Sequence, residues 1–102
     1  MKKAQVIWSD TALTDLDTIY DFLFQESPAA GQRTIERILS RTRQLETFPE
    51  SGSMQEVMGS VSVYRYLVEG NYKIVYTHQS GKQVIFIHAV FDTRLDPEKL
   101  KL

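Results

Sequence analysis

The sequence predicts an α+β fold: a strand, an αα-hairpin, three more strands forming an antiparallel sheet, and a short C-terminal helix. Three observations carry this. Apolar residues recur at helical spacing from Ala12 to Leu23 and again from Ile35 to Leu45. Residues 61–90 are instead rich in β-branched and aromatic side chains, broken by Gly70 and Gly81. The 102 residues, 42% hydrophobic and 25% charged, suffice for one core but not two, so a single domain over 1–102 is expected.

Val6-Ile7-Trp8 is a β-prone run, read as a strand over 4–8. Ser9 then stands at an N-cap position, with Asp10 in the first turn to suit the helix dipole. Ala12, Leu13, Leu16, Ile19, Tyr20 and Leu23 form the apolar stripe of this first helix, while Asp10, Thr14, Asp17, Asp21 and Gln25 form a solvated face. Ser27-Pro28 opens a second helix, because proline at the first helical position loses no hydrogen bond. Its stripe is Ile35, Ile38, Leu39, Thr42 and Leu45. Arg33, Arg37 and Arg41 lie opposite and should pair with nearby carboxylates. Phe48-Pro49 ends this helix, and residues 49–60 read as a loop with two glycines. Strands are expected at 61–68, 72–79 and 83–90, joined by turns in which Gly70 and Gly81 supply positive φ. Asp96-Pro97 repeats the cap-plus-proline signature and should start the C-terminal helix.

Composition narrows the function. A net charge of −1 argues against a dedicated nucleic-acid binder, which needs a basic excess to neutralise phosphates. With no cysteine, disulfides, thiolate metal sites and a cysteine nucleophile are excluded. The start of the chain lacks the apolar core of a signal peptide, and no run approaches the length of a membrane span. A cytoplasmic protein without cofactor or metal is expected.

The strands carry the functional clue. Pairing residue 68 with 72 and residue 77 with 84 sorts the side chains onto two faces, since residues directly opposite share a side. One face then holds Tyr64, Tyr66, Val68, Tyr72, Ile74, Tyr76, Ile85 and Ile87, and should receive the αα-hairpin. The other holds Val63, Arg65, Leu67, Lys73, Val75, Val84, Phe86 and His88, with Arg94 just beyond. A face that is too apolar for water and too cationic for a core should meet a partner.

The chain resembles the RelE/ParE superfamily of bacterial toxins along nearly its whole length. The residues that carry the likeness are Trp8-Ser9-x-x-Ala12-x-x-Asp15-Leu16-x-x-Ile19-Tyr20, Ser27-Pro28-x-x-Gly31 and Leu45-x-x-Phe48-Pro49-x-x-Gly52. They continue through Tyr64-Arg65-x-Leu67, Gly70-Asn71-Tyr72-Lys73-Ile74-Val75-Tyr76, and Phe91-Asp92-Thr93-Arg94-x-Asp96-Pro97-x-Lys99-Leu100. The last is similar to the ending of a ParE-like, plasmid-stabilisation branch. The resemblance implies the toxin of a type II toxin-antitoxin system, neutralised by a cognate antitoxin. It implies one of two actions: poisoning DNA gyrase as ParE-like toxins do, or cutting mRNA on the ribosome as RelE-like toxins do.

Arg65, Lys73, Phe91 and Arg94 would contact target or antitoxin. For the nuclease, Arg65 and Arg94 would hold the phosphate, with His88 or Glu56 moving protons. The mRNA-cutting branch is typically strongly basic and often has a tyrosine or histidine near its C-terminus. This chain is near neutral, ends Glu98-Lys-Leu-Lys-Leu102, and has Lys73 where the hairpin usually carries arginine. Lysine loses the bidentate grip on phosphate. The ParE-like branch is the reading these departures favour.

Overall fold

The computed structural model describes residues 3–94. Its elements are β1 (Gln5–Trp8), α1 (Asp10–Glu26), α2 (Pro28–Arg43), β2 (Ser53–Gln55), β3 (Tyr64–Glu69), β4 (Tyr72–Gln79) and β5 (Val84–Asp92). A single 3-10 turn, Gln44–Glu46, follows α2. The α+β class stands. The helix expected at Asp96-Pro97 lies outside the described residues.

Both helices start where the sequence places them. Ser9 accepts from the Ala12 N–H at 3.0 Å, and Ser27 accepts from the Ala30 N–H at 3.3 Å ahead of Pro28. Each hydroxyl satisfies a donor that the first helical turn leaves free. Gly31 sits at the α1–α2 crossing, where an added Cβ would be 3.3 Å from the Phe24 backbone nitrogen. Of the arginine row, Arg41 pairs with Glu69 at 3.9 Å and donates to Gln44 Oε1 at 2.8 Å.

The sheet differs from expectation in three ways. It has five strands in the order β1-β5-β4-β3-β2, and it is mixed, because β1 runs parallel to β5. The fifth strand is β2, three residues from the stretch read as loop, paired antiparallel with β3. The third difference matters most. β3 and β4 join through a two-residue turn, Gly70-Asn71, so Glu69 pairs with Tyr72 and Arg65 with Tyr76. Gly70 takes φ +59°, the positive φ such a tight turn needs. Pairing residue 68 with 72 requires a turn one residue longer, and a one-residue slip sends every side chain of a strand to the other side.

The sorting of β4 against β5 holds, although the observed pairs are Thr77–Phe86 and Gln79–Val84. The register shifts between Val75 and Tyr76, leaving one extra residue in β5 at His88. The β4–β5 turn takes its positive φ at Gln83 (+52°), not at Gly81. The Gln83 carbonyl then accepts from the Gln5 N–H at 2.9 Å, which ties β1 to the sheet.

The core lies between the helices and one side of this sheet. It joins Ala12, Ile19, Ile38 and Leu45 to Leu67, Ile74, Tyr76, Ile85, Ile87 and Val90. A second, smaller cluster, Val75, Ala89 and Phe91, lies on the open side with Tyr64 and Tyr66 packed against it. Tyr76 is fully buried, and its hydroxyl accepts from the Gly52 N–H at 3.0 Å. A Cβ on Gly52 would stand 2.6 Å from the Tyr66 carbonyl oxygen and 2.7 Å from the Tyr76 hydroxyl. No side chain fits there.

Gly52→Ala is therefore expected to lower stability by about 1–3 kcal/mol through overpacking. Tyr76→Phe should cost about 1–3 kcal/mol by leaving the buried Gly52 N–H unpaired. Urea unfolding midpoints of the two variants check both.

Candidate functional site on the open sheet face

β3 sends Tyr64, Tyr66 and Val68 to the side away from the helices, where they meet Thr77, Val75 and Lys73 of β4. β5 adds Phe86, His88, Ala89 and Phe91 to the same side. The centre of this face is buried: Val75, Ala89 and Phe91 expose 1%, 6% and 6%. Around them stand Tyr64, Tyr66, Phe86 and His88. This is an aromatic surface with few charges.

Lys73 lies on it, Nζ 3.9 Å from the centre of the Tyr66 ring, an attraction between cation and π-face that also orders the lysine stem. His88 packs edge-on to Tyr64, with ring centres 5.2 Å apart. Its Nε2 is 2.8 Å from Thr77 Oγ1. Burial lowers the His88 pKa, because a charged imidazolium loses hydration there. The neutral imidazole is the form the fold favours.

Arg65 is not on this face. The two-residue turn places it on the helix side, opposite Tyr76, under the loop that leads into β2. Its Nη1 donates to the carbonyls of Glu50 at 3.3 Å and Gly52 at 3.1 Å, and Nη2 lies 3.7 Å from Glu50 Oε1. Glu50 also meets His78 Nδ1 at 3.1 Å. Arg65 thus holds a loop in place. Arg65 and Lys73 lie on opposite sides of the sheet, so the shared cationic face expected from the sequence does not exist.

Arg94 follows β5 and is clamped to Asp92 by two side-chain hydrogen bonds, Nε–Oδ1 at 3.1 Å and Nη2–Oδ2 at 2.8 Å. This fork holds the Asp92 carboxyl below its ordinary pKa. Phe91 and Arg94 both border a groove of about 230 Å³ between α1 and β5 that Ile19, Phe22 and Tyr72 also line, while Phe91 packs with Val75 and Ala89 on the open side. Lys73 is the cross-strand neighbour of Phe91. Glu56 stands apart, in the loop after β2.

Three of the four expected contact residues, Lys73, Phe91 and Arg94, therefore gather near one end of the sheet, and Arg65 does not. Sequence reasoning misses Tyr64, Tyr66 and Thr77 as members of the open face. The signal that could find them is the Gly-Asn pair, which favours a two-residue turn over a longer one.

The site is thus a mixed sheet with an αα-hairpin on one side and an aromatic open face on the other. The family model described as the ParE toxin of the type II toxin-antitoxin system parDE matches residues 6–97. The chain belongs to that family. It is 41% identical over 51 residues to toxin RelE2 of Caulobacter vibrioides, a match spanning half of this chain and 58% of that relative. Among solved structures, the chromosomal ParDE toxin-antitoxin system of P. aeruginosa superposes with a TM-score of 0.70 at 20% identity, covering 88% of this chain and 96% of that one. The archaeal RelE-RelB complex of Pyrococcus horikoshii gives 0.62 at 18% identity, covering 92% and 99%. The RelBE2 toxin-antitoxin complex of Mycobacterium tuberculosis gives 0.60 at 16%, covering 88% and 98%. These structures share the fold.

The His88 pKa sets a pH dependence. A histidine whose folded pKa lies below its unfolded value, about 6.5, contributes fully above that value. The contribution is lost as pH falls from there toward the folded pKa. Between pH 7 and pH 5 the urea midpoint should fall, and it should fall less in His88→Gln. An equal fall in both proteins would show that His88 contributes nothing to it.

Proposed function

We propose that this chain is the toxin of a type II toxin-antitoxin pair, acting in the cytoplasm by binding a target, DNA gyrase, and held inactive by a cognate antitoxin. The observation that carries the binding mode is the dispersal of the cations. Cleavage of RNA at a 2′-hydroxyl needs a base, an acid and positive groups converging on one phosphate. Here Arg65 lies behind the sheet, bound to Glu50 and Gly52, and Arg94 is neutralised by Asp92. His88 and Lys73 share the open face, but Lys73 rests on Tyr66 and His88 on Thr77.

That arrangement suits recognition better than chemistry. An aromatic surface bordered by a lysine offers apolar area and one cation to a protein partner. Lys73, Phe91 and Arg94 are the contacts assigned to it. The ParE family match supports gyrase as the target.

The second reading is cleavage of mRNA on the ribosome, favoured by the likeness of half the chain to a protein named RelE2. In that reading His88 acts as the proton carrier with Arg65 and Arg94 on the phosphate. The side of the sheet that Arg65 occupies counts against it.

A gyrase supercoiling and cleavage assay, run beside primer extension on translated mRNA, separates the two. The expected outcome is gyrase-dependent DNA breaks with intact mRNA. Cuts in ribosome-bound mRNA with gyrase unaffected would reject the proposal. Lys73→Ala should weaken target binding by roughly three- to thirtyfold, the range for a contact near an interface centre. Its unfolding midpoint should stay close to that of the parent.

A further inference from the structure

The αα-hairpin has an outer side, turned away from the sheet, on which charge is sorted by helix. α1 carries Asp10, Asp15, Asp17, Asp21 and Glu26 and no cation. α2 carries Arg33, Arg37, Arg41 and Arg43, with Glu36 as its one acid. Ala12 and Ile19 mark the buried line of α1, and Gly31, Ile38 and Thr42 that of α2. With about 3.6 residues per turn, Asp17 and Asp21 point away from the first line, and Arg33 and Arg37 away from the second. All four are exposed, and among the described residues none of them forms an ion pair.

The helices run antiparallel out of Ser27, so residues equally distant from Ser27 stand level. Leu23 and Gly31 show this, since a Cβ on Gly31 would lie 3.6 Å from the Leu23 Cβ. By the same count Asp21 is level with Arg33, and Asp17 with Arg37. An apolar seam separates the two rows. Leu13, Tyr20 and Phe24 fall on one line of α1 and are 48%, 36% and 46% exposed. Tyr20 and Phe24 touch, with ring centres 5.6 Å apart. Gly31 packs against the backbone of these same two residues, so the line borders the groove where α2 crosses α1. Apolar side chains clustered in water at such a crossing mark a contact surface.

An acidic rim, an apolar seam and a basic rim together select the partner. Nucleic acid would meet Asp17 and Asp21 beside the arginines, and its phosphates are repelled by them. A protein of one charge sign would satisfy one rim and oppose the other. A second copy of this chain satisfies both. When a two-fold axis runs along the seam, parallel to the helices, each α1 faces the other copy's α2. Rotation about that axis leaves heights unchanged, so Asp21 meets the partner's Arg33 and Asp17 meets the partner's Arg37. Each pair occurs twice, as an isologous interface requires, and the aromatic line packs on its own copy.

We propose that the chain self-associates through the outer side of the αα-hairpin, as a two-fold dimer with α1 of each copy on α2 of the other. Helices of 17 and 16 residues present a face of roughly 25 Å by 20 Å, or about 1,000 Å² counted on both copies. That area lies at the lower end of specific interfaces, so a Kd on the order of 10 µM is expected. The dimer leaves both open sheet faces uncovered, because they lie across the sheet from the helices. It presents two Lys73 surfaces at once and gains avidity for a target with repeated sites. The inference concerns the helices alone and does not depend on which target the open face binds.

Sedimentation velocity on the full chain at neutral pH, over roughly 1–300 µM protein, tests it. The expected result is a monomer–dimer equilibrium that weakens about tenfold as salt rises from about 50 to 500 mM. Arg33→Glu/Arg37→Glu and Asp17→Arg/Asp21→Arg should each weaken it at least about tenfold, because like charges then face across the interface. Mixing the two reversed chains should restore dimerisation, with unfolding midpoints near the parent's showing that both are folded. Dilution of the unaltered chain should shift amide resonances of α1 and α2, which checks the surface without any substitution. A chain still monomeric at about 300 µM in low salt would overturn the inference. So would a dimer indifferent to either reversal, folded reversed chains that do not associate when mixed, or dilution shifts confined to the sheet.

Discussion

The turn at Gly70-Asn71 fixes the side of the sheet on which each β3 side chain stands, and most of the surface chemistry follows from that. Because side chains alternate along a strand, adding one residue to this turn would send Leu67 outward and Tyr66 inward. The observed register is held by what it places against the helices. Leu67 enters the core beside Ile74, and Glu69 meets Arg41 of α2 at 3.9 Å. The ion pair is partly exposed and contributes little on its own. Leu67 is 4% exposed, and its burial stabilises more, by about 1.5–3 kcal/mol for transfer of a leucine side chain out of water. The alternative register would bury Tyr66 and strand Arg65 beside Lys73, with the loop over Glu50 and Gly52 left without its anchor.

That anchor explains why an arginine stands in β3. The segment from Phe48 to Gly52 crosses the end of the sheet, and Arg65 answers two of its carbonyls, those of Glu50 and Gly52. Tyr76 answers the Gly52 N–H from the neighbouring strand. Gly52 admits this convergence only because it has no side chain. Three residues that resemble family signatures, Gly52, Arg65 and Tyr76, thus form one structural unit.

Much of the fold was legible because helices declare their ends locally. Ser9 and Ser27-Pro28 needed only their neighbours to be read as caps, and both cap as expected. The sheet was legible in part. The sorting of β4 against β5 holds because the register differs from the expected one by two residues up to Tyr76, and the bulge at His88 takes up the odd residue beyond it, while a turn shorter by one residue inverts β3. β2 was missed because Ser53-Met54-Gln55 has no β pattern of its own and pairs only because Tyr64, Arg65 and Tyr66 are already there. The parallel pairing of β1 with β5 is a tertiary fact, since about eighty residues separate the partners Gln5 and Val84. On the open face, Lys73 and His88 were placed correctly, and Tyr64 and Tyr66 were hidden by the same turn.

Local neutralisation of charge then shapes what the open face can do. Arg94 forms its fork with a carboxylate two residues away, an arrangement that short sequence spacing makes nearly unavoidable once both side chains sit on the same turn. Its charge is present, but its donors to Asp92 are committed. Arg65 is committed to the loop, and Arg41 to α2 and β3. Lys73 differs, since its ammonium rests on an aromatic ring, which leaves donors available to a partner's oxygen. A surface with a lysine among tyrosines and phenylalanines, and with Arg65 and Arg94 engaged elsewhere, presents a single ammonium among aromatic rings rather than several cations around one point. Shape and apolar area, with the lysine to set orientation, are what such a face offers a protein, and the proposed binding role rests on them.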